Sequence, residues 1–220
     1  MVRVSLLLPQ RCAVCARPGA ALCDACDSAL VRLAPPFCER CGAPGAWPVQ
    51  RCAECAGRRL AFARARAAIV YDDRARTFVG AWKERGRRDL AAAAATLVAD
   101  VLPRPDADVL TAVPTDPERG LWRGHAPAVG LARALALRWR LPTAPLLERA
   151  RPAPRQRGLT LRERRRNVSG TFAATGRAPP HVCLVDDVYT TGATANVCAR
   201  ALRQAGARRV EAIALARAVR

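Results

Sequence analysis

The sequence predicts an α/β fold: a mostly parallel sheet flanked by helices, preceded by a small cysteine-rich module. Three observations carry this. Strand-like and helix-like segments alternate from residue 65 onward, eight of the ten cysteines lie within the first 55 residues, and one apolar run leads through two adjacent acids into a Thr/Gly loop. Alternation of this kind places helices on the faces of a parallel sheet, with ligands at the carboxyl ends of its strands. The 220 residues suffice for a real hydrophobic core, and 51% hydrophobic against 25% charged residues excludes a disordered chain. The division expected is a zinc-binding module over 1–60 and an α/β domain over 61–220.

The cysteines of the module form four Cys-x-x-Cys pairs: Cys12 with Cys15, Cys23 with Cys26, Cys38 with Cys41, and Cys52 with Cys55. Two intervening residues is a chelating spacing for tetrahedral zinc, whereas a redox dithiol needs one pair and a disulfide scaffold needs export. Eight thiolates hold two ions. Sequential and cross-braced pairing are both compatible with the spacing. The segment has few large apolar residues, so structural zinc supplies much of its folding free energy. Cys183 and Cys198 lack chelating neighbours and read as buried structural residues.

The remaining elements follow in order. Residues 65–71 read as a strand, followed by a polar turn at Asp72-Asp73. An Ala-rich helix over 90–102 ends at Pro103, and 108–113 is a buried strand closed by Pro114 and Pro117. Leu131, Leu135 and Trp139 recur on one face of a helix over 128–139. Strand 181–185, helix 193–205 and strand 210–215 complete the alternation.

The apolar run Val182-Cys-Leu-Val185 delivers Asp186 and Asp187, then Val-Tyr, then Thr190-Thr191-Gly192-Ala193-Thr194, which opens a helix. Amides and hydroxyls at a helix N-terminus bind a phosphate dianion, and Gly192 permits close backbone approach. The paired acids can accept hydrogen bonds from ribose hydroxyls. The Gly-Lys-Ser/Thr of a Walker loop is missing, which disfavours an ATPase.

Residues 185–194 resemble the phosphoribosyl-pyrophosphate signature of type I phosphoribosyltransferases. With the four cysteine pairs, Trp82-Lys-Glu-Arg-Gly-Arg87, Val113-Pro114 with Pro117, Arg123-Gly124, and Gln156-Arg-Gly-Leu159 through Arg166-Asn167, the chain is similar to the ComF family of competence-associated proteins over nearly its whole length. The resemblance implies a type I phosphoribosyltransferase-like domain, a pentosyl-transferring glycosyltransferase activity with magnesium-bound phosphoribosyl pyrophosphate or a related ribose phosphate, and a link to DNA uptake in natural transformation. Single-stranded DNA and proteins of the competence machinery are the further partners it implies. One departure stands out: Arg123-Gly124 is followed by His125-Ala126-Pro127 where the family has Phe-Asn-Gln, and Thr115-Asp116-Pro117-Glu118 replaces Leu-His-Pro-Arg. Asp116 and Glu118 would repel pyrophosphate there unless magnesium intervenes. His125 reads either as a replacement contact or as a surface residue.

Charge is unevenly placed. The net charge is +19, and residues 151–220 carry 14 basic against 4 acidic groups. Two zinc-filled cysteine sites would lower the total to about +15. Seven arginines fall between Arg151 and Arg166, in the stretch that the resemblance equates with the transferase's closing loop. Of these, Arg155, Arg157, Arg162, Arg164, Arg165 and Arg166 are the candidates for neutralising pyrophosphate or tracking a nucleic-acid backbone, with Arg155, Arg157 and Arg166 counted among the substrate-binding residues. Lys83 is the only lysine of the chain and joins the candidate substrate-binding residues. Aromatics are 5% and none interleave the arginine stretch, so DNA contact would rest on phosphates, without a stacking platform. The apolar stretch from Val4 to Leu8 is too short for a signal peptide and no segment is long enough to span a membrane, so a cytoplasmic location is expected.

An enzyme and a non-catalytic DNA-handling or regulatory module that keeps the phosphate pocket both fit these observations. The acceptor of any transferred ribosyl group is not encoded in a recognisable motif.

Overall fold

The computed structural model describes residues 10–116, 124–149 and 171–219. Four strands, β1 (Arg64–Val70), β2 (Val109–Ala112), β5 (His181–Tyr189) and β6 (Arg209–Arg217), form one sheet in the order β1-β6-β5-β2, every pair parallel. Two short strands, β3 (Leu147–Arg149) and β4 (Phe172–Ala174), pair antiparallel beside it; they were not expected from the sequence.

Each long strand is apolar on both faces, as a sheet covered on both sides requires. On one face Cys183, Val185, Ile213 and Leu215 pack against three helices: α2 (Asp73–Glu84), α3 (Leu90–Val101) and α4 (Pro127–Trp139). On the other, Val182, Leu184, Val210 and Ala212 meet Cys198 and Leu202 of α5 (Ala193–Gln204). Cys183 and Cys198 are fully buried, one on each side, as expected.

The cysteine-rich segment, which holds only the five-residue helix α1 (Asp24–Ser28), is split between these two faces. Ala13 and Leu30 join the core beneath α2–α4, while Leu33, Cys38, Cys41 and Cys55 join the core on the α5 side. It therefore wraps the edge strand β1 instead of sitting apart from the sheet.

Two elements depart from the sequence reading. Asp72-Asp73 is not an isolated turn but the start of α2: Asp72 is the N-cap, its carboxylate accepting from the Ala75 amide at 2.8 Å, and Asp73 favours the positive end of the helix dipole. Ala75, Phe78, Val79 and Trp82 form its buried stripe. Strand β5 also continues to Tyr189 instead of stopping at Val185. The equally long β6 supplies ladder partners that far, with Asp186 opposite Ala214 and Tyr189 opposite Arg217. The two acids are thus held in the ladder itself.

Candidate functional site

The cysteines gather as Cys12, Cys15, Cys23 and Cys26 in a first site and Cys38, Cys41, Cys52 and Cys55 in a second. The sequential pairing is the one realised. Sulfur pairs lie at 3.7 Å (Cys15 and Cys23), 3.6 Å (Cys38 and Cys55) and 3.5 Å (Cys41 and Cys52). The edge of a zinc tetrathiolate tetrahedron is about 3.8 Å for Zn–S near 2.3 Å, so both donor sets fit structural zinc. Tight turns supply amides to the sulfurs: the Cys52 amide points at Cys38 Sγ at 3.3 Å. Burial opposes ionisation of Cys12, but the amides around it outweigh burial and bring its thiol down to about 6. Cys38 falls to about 7 on the same balance. Gly42, at φ +70°, is required beside Cys41, since a Cβ there would lie 2.4 Å from the Ala65 carbonyl oxygen.

The acidic pair lies at the carboxyl end of β5. Alternation along the strand sends the two carboxylates to opposite faces. Asp187 Oδ1 meets Lys83 Nζ from the last turn of α2 at 2.7 Å, with both side chains largely sheltered from solvent. Asp186 is partly buried, and its carboxylate accepts from the Asp187 amide at 2.9 Å. Burial and then the neighbouring Asp187 charge push Asp186 up to about 7, against the opposing pull of Lys83. Lys83 therefore faces Asp187, not open solvent.

Beyond Tyr189 the chain turns through Thr190, Thr191 and Gly192 into α5. Thr191 Oγ1 accepts from the Ala193 amide at 3.3 Å. Gly192 is the N-cap at φ +69° and has no side chain to cap the helix, so apart from the long contact of the Ala193 amide to Thr191 Oγ1 no side chain among the described residues accepts from the first-turn amides. Ala193 and Thr194 begin that turn. Gly192 also makes room for the Tyr189 hydroxyl, which would lie 2.1 Å from a Cβ at this position.

The segment that departs from the family pattern is partly in view. His125 donates its Nε2–H to the Trp82 carbonyl at 2.7 Å and so holds the end of α2 next to Lys83. Asp116 is paired with Arg149 of β3 at 2.8 Å, which offsets one of the two charges expected to repel pyrophosphate. Glu118, Arg155, Arg157, Arg162, Arg164, Arg165 and Arg166 lie outside the described residues.

Three residues sequence reasoning gave no role take part. Tyr189 packs on the loop, Asn196 accepts from the Ala61 amide at 2.6 Å and ties the segment after the cysteines to α5, and Arg217 is fully buried at the end of β6. An arginine closing the apolar run Ile213-Ala-Leu-Ala216 was the available signal for the last, because a buried guanidinium requires partners. A separate concavity of about 460 Å³, lined by Arg40, Arg51, Arg64, Arg66 and Arg209 with Glu39, lies at the amino ends of β1 and β6, opposite the acidic pair.

Comparison with known proteins adds three findings. Residues 3–57 match the double zinc ribbon domain. Over 230 residues the chain is 29% identical to DNA utilization protein YhgH of Salmonella typhi, covering 96% of this chain and 99% of that protein. It is 27% identical over 203 residues to competence protein ComFC of Streptococcus pneumoniae, covering 89% and 87% respectively. With competence protein F of Haemophilus influenzae it shares 38% identity over 77 residues, 33% of this chain and 34% of that one. Among solved structures, the B. subtilis glutamine phosphoribosylpyrophosphate amidotransferase complexed with ADP and GMP aligns over 58% of this chain and 26% of its own, at 23% identity and a TM-score of 0.37. Among the described residues, no helix is long and apolar enough to cross a membrane.

Proposed function

We propose that this chain, a homologue of the ComF-type competence and DNA-utilization proteins, binds phosphoribosyl pyrophosphate or a related ribose phosphate at the β5–α5 turn and serves DNA uptake. The observation that carries the reading is the Lys83–Asp187 pair at 2.7 Å beside Asp186, immediately ahead of a helix start whose N-cap is a glycine with no capping side chain. The ligand's terminal phosphate sits on the amides of Ala193 and Thr194 with the hydroxyls of Thr190, Thr191 and Thr194 around it. Asp186 and Asp187 accept hydrogen bonds from the ribose hydroxyls, and Lys83 holds the second acid in place. Arg155, Arg157 and Arg166 are proposed for the pyrophosphate.

Magnesium, arriving with the ligand, would neutralise its pyrophosphate. In a phosphoribosyltransferase reaction a nucleophile bonds to C1 of the ribose as the C1–oxygen bond to pyrophosphate breaks. The chain's part is to position the ribose and stabilise the departing charge. Calorimetry with phosphoribosyl pyrophosphate and magnesium tests the reading. Asp186→Asn with Asp187→Asn is expected to abolish the binding heat of the unaltered protein, and equal affinity in both overturns the assignment. Pyrophosphate release with a panel of bases and amines then tests turnover.

A second reading, DNA handling without turnover, draws on the arginine concavity at the amino ends of β1 and β6. Its guanidiniums crowd one another: burial and the neighbouring Arg51 charge lower Arg40, and burial and Arg64 lower Arg66. A phosphate backbone would relieve that repulsion, and its affinity would fall steeply with salt. Titration of single-stranded DNA across a salt series, with Arg51→Glu as the variant, decides this reading. No binding at low salt removes it.

A further inference from the structure

We propose that Arg217 is a positioning residue through which the second cysteine site sets the conformation of the phosphate-binding loop. The inference rests on the reading that this loop holds a ligand, but the contacts that motivate it stand on their own. Arg217 ends β6 and is 1% exposed. Its Nη1 donates to the Cys41 carbonyl at 2.7 Å, and its Nη2 approaches Cys41 Sγ at 3.8 Å and the Glu54 carboxylate at 2.6 Å. All of these partners lie in the cysteine-rich segment, Cys41 as a metal ligand and Glu54 next to the ligand Cys55.

On its other side the guanidinium lies over the Tyr189 ring, 4.7 Å from the centroid. Phe62 meets the same ring edge-on, with centroids 6.4 Å apart and planes at 79°. The ring is therefore clamped by two side chains, and its hydroxyl is driven against Gly192. Both that hydroxyl and Arg217 Nε are buried without a hydrogen-bond partner among the described residues. The guanidinium beside it and the packing of the ring together set where the hydroxyl sits. The ordered second site holds Arg217, Arg217 holds the ring, and the ring meets the loop at the residue that caps α5.

A buried guanidinium loses much of its stabilisation when its partners loosen. Disordering the second cysteine site therefore frees Arg217 and the ring, and the loop loses its support. By linkage, a ligand seated on the loop must in turn hold the second metal more tightly. The first site lies on the other face of the sheet, against α2–α4, and among the described residues no hydrogen bond or ring contact joins its cysteines to Arg217 or Tyr189.

Hydrogen exchange of the peptide covering 186–194 reads the coupling without any ligand. Cys52→Ser, which breaks the second site, is expected to accelerate exchange there, whereas Cys23→Ser, which breaks the first, leaves it unchanged. Arg217→Met keeps the buried volume and both metal sites but removes the link. It is expected to retain two zinc ions per chain, accelerate loop exchange and weaken phosphoribosyl pyrophosphate about tenfold, with partial rescue by Arg217→Lys. Unchanged loop exchange in Arg217→Met with two zinc ions bound overturns the proposal. So does equal acceleration by Cys23→Ser and Cys52→Ser. Intact coupling in a protein that binds no phosphoribosyl pyrophosphate would overturn the ligand reading and leave the relay standing.

Discussion

Lys83 and Asp187 are 104 residues apart in the chain, yet their charged atoms meet at 2.7 Å across the joint between α2 and β5. The only lysine of the sequence is thus spent on one of two adjacent acids, and the other acid titrates in the pair's combined field. Lys83→Met removes the sole cation seen to oppose them among the described residues. The expected result is a loss of about 2 kcal/mol in urea denaturation, the scale of a charge-assisted hydrogen bond, together with weaker ribose-phosphate binding. An unchanged urea midpoint contradicts the pair's importance.

The raised value of Asp186 gives a signed pH dependence. Its ordinary value is 3.8, and burial with Asp187 lifts it to about 7 in the folded chain. Below the ordinary value both states are protonated and no slope arises. Between the two values the folded state keeps a proton that the unfolded state has released, so stability falls as pH rises and levels off above about 7. Asp186→Asn should flatten that slope in urea midpoints taken from about pH 5 to 8. A ligand that needs the ionised carboxylate gains affinity over the same rise.

Gly192 is predicted to be intolerant of any side chain. It combines φ +69° with the Tyr189 hydroxyl in the space a Cβ would fill. Gly192→Ala should cost about 1–3 kcal/mol from backbone strain alone and abolish phosphate binding. Gly57, also at positive φ but with nothing near its Cβ position, is the control: Gly57→Ala should carry only the backbone cost and leave phosphate binding intact.

Metal analysis should return two zinc ions per chain, and Cys23→Ser one. A single substitution does not separate the two pairings, but a double one does, because cross-bracing would put Cys12 and Cys23 in different sites. Under the observed pairing, Cys12→Ser with Cys23→Ser still leaves one ion bound. Cross-bracing, first pair with third and second with fourth, would have both ions lost.

The features written into short stretches of sequence were legible: four Cys-x-x-Cys pairs, the helical face of Leu131, Leu135 and Trp139, and the acidic pair running into a Thr/Gly turn. Each is a local pattern whose spacing has one physical meaning. Helix α2 has an equally local signature, Asp72 followed by the stripe Ala75, Phe78, Val79 and Trp82, but two adjacent acids are as much a turn signal as a helix start. Other features had no local signature. Asp116 with Arg149, His125 on the Trp82 carbonyl, and Arg217 on Cys41 join segments 33, 43 and 176 residues apart, and no periodicity announces such meetings. Spacing also left the cysteine pairing open, because only the path of the chain decides which pairs meet.

Because every strand of the main sheet points the same way, its two rims are chemically unlike. One rim carries Asp186 and Asp187; the other carries Arg64 and Arg209, with Arg40, Arg51 and Arg66 close by. Among the described residues the amino rim holds arginines in excess of Glu39 and Glu211, while the carboxyl rim sets its acids against Lys83 and Arg217. If both proposed ligands bind, a long polyanion would meet the arginine rim first and leave the carboxyl ends open to a small sugar phosphate. Parallel topology, by putting all strand starts on one side, gives one small protein two rims of different chemistry.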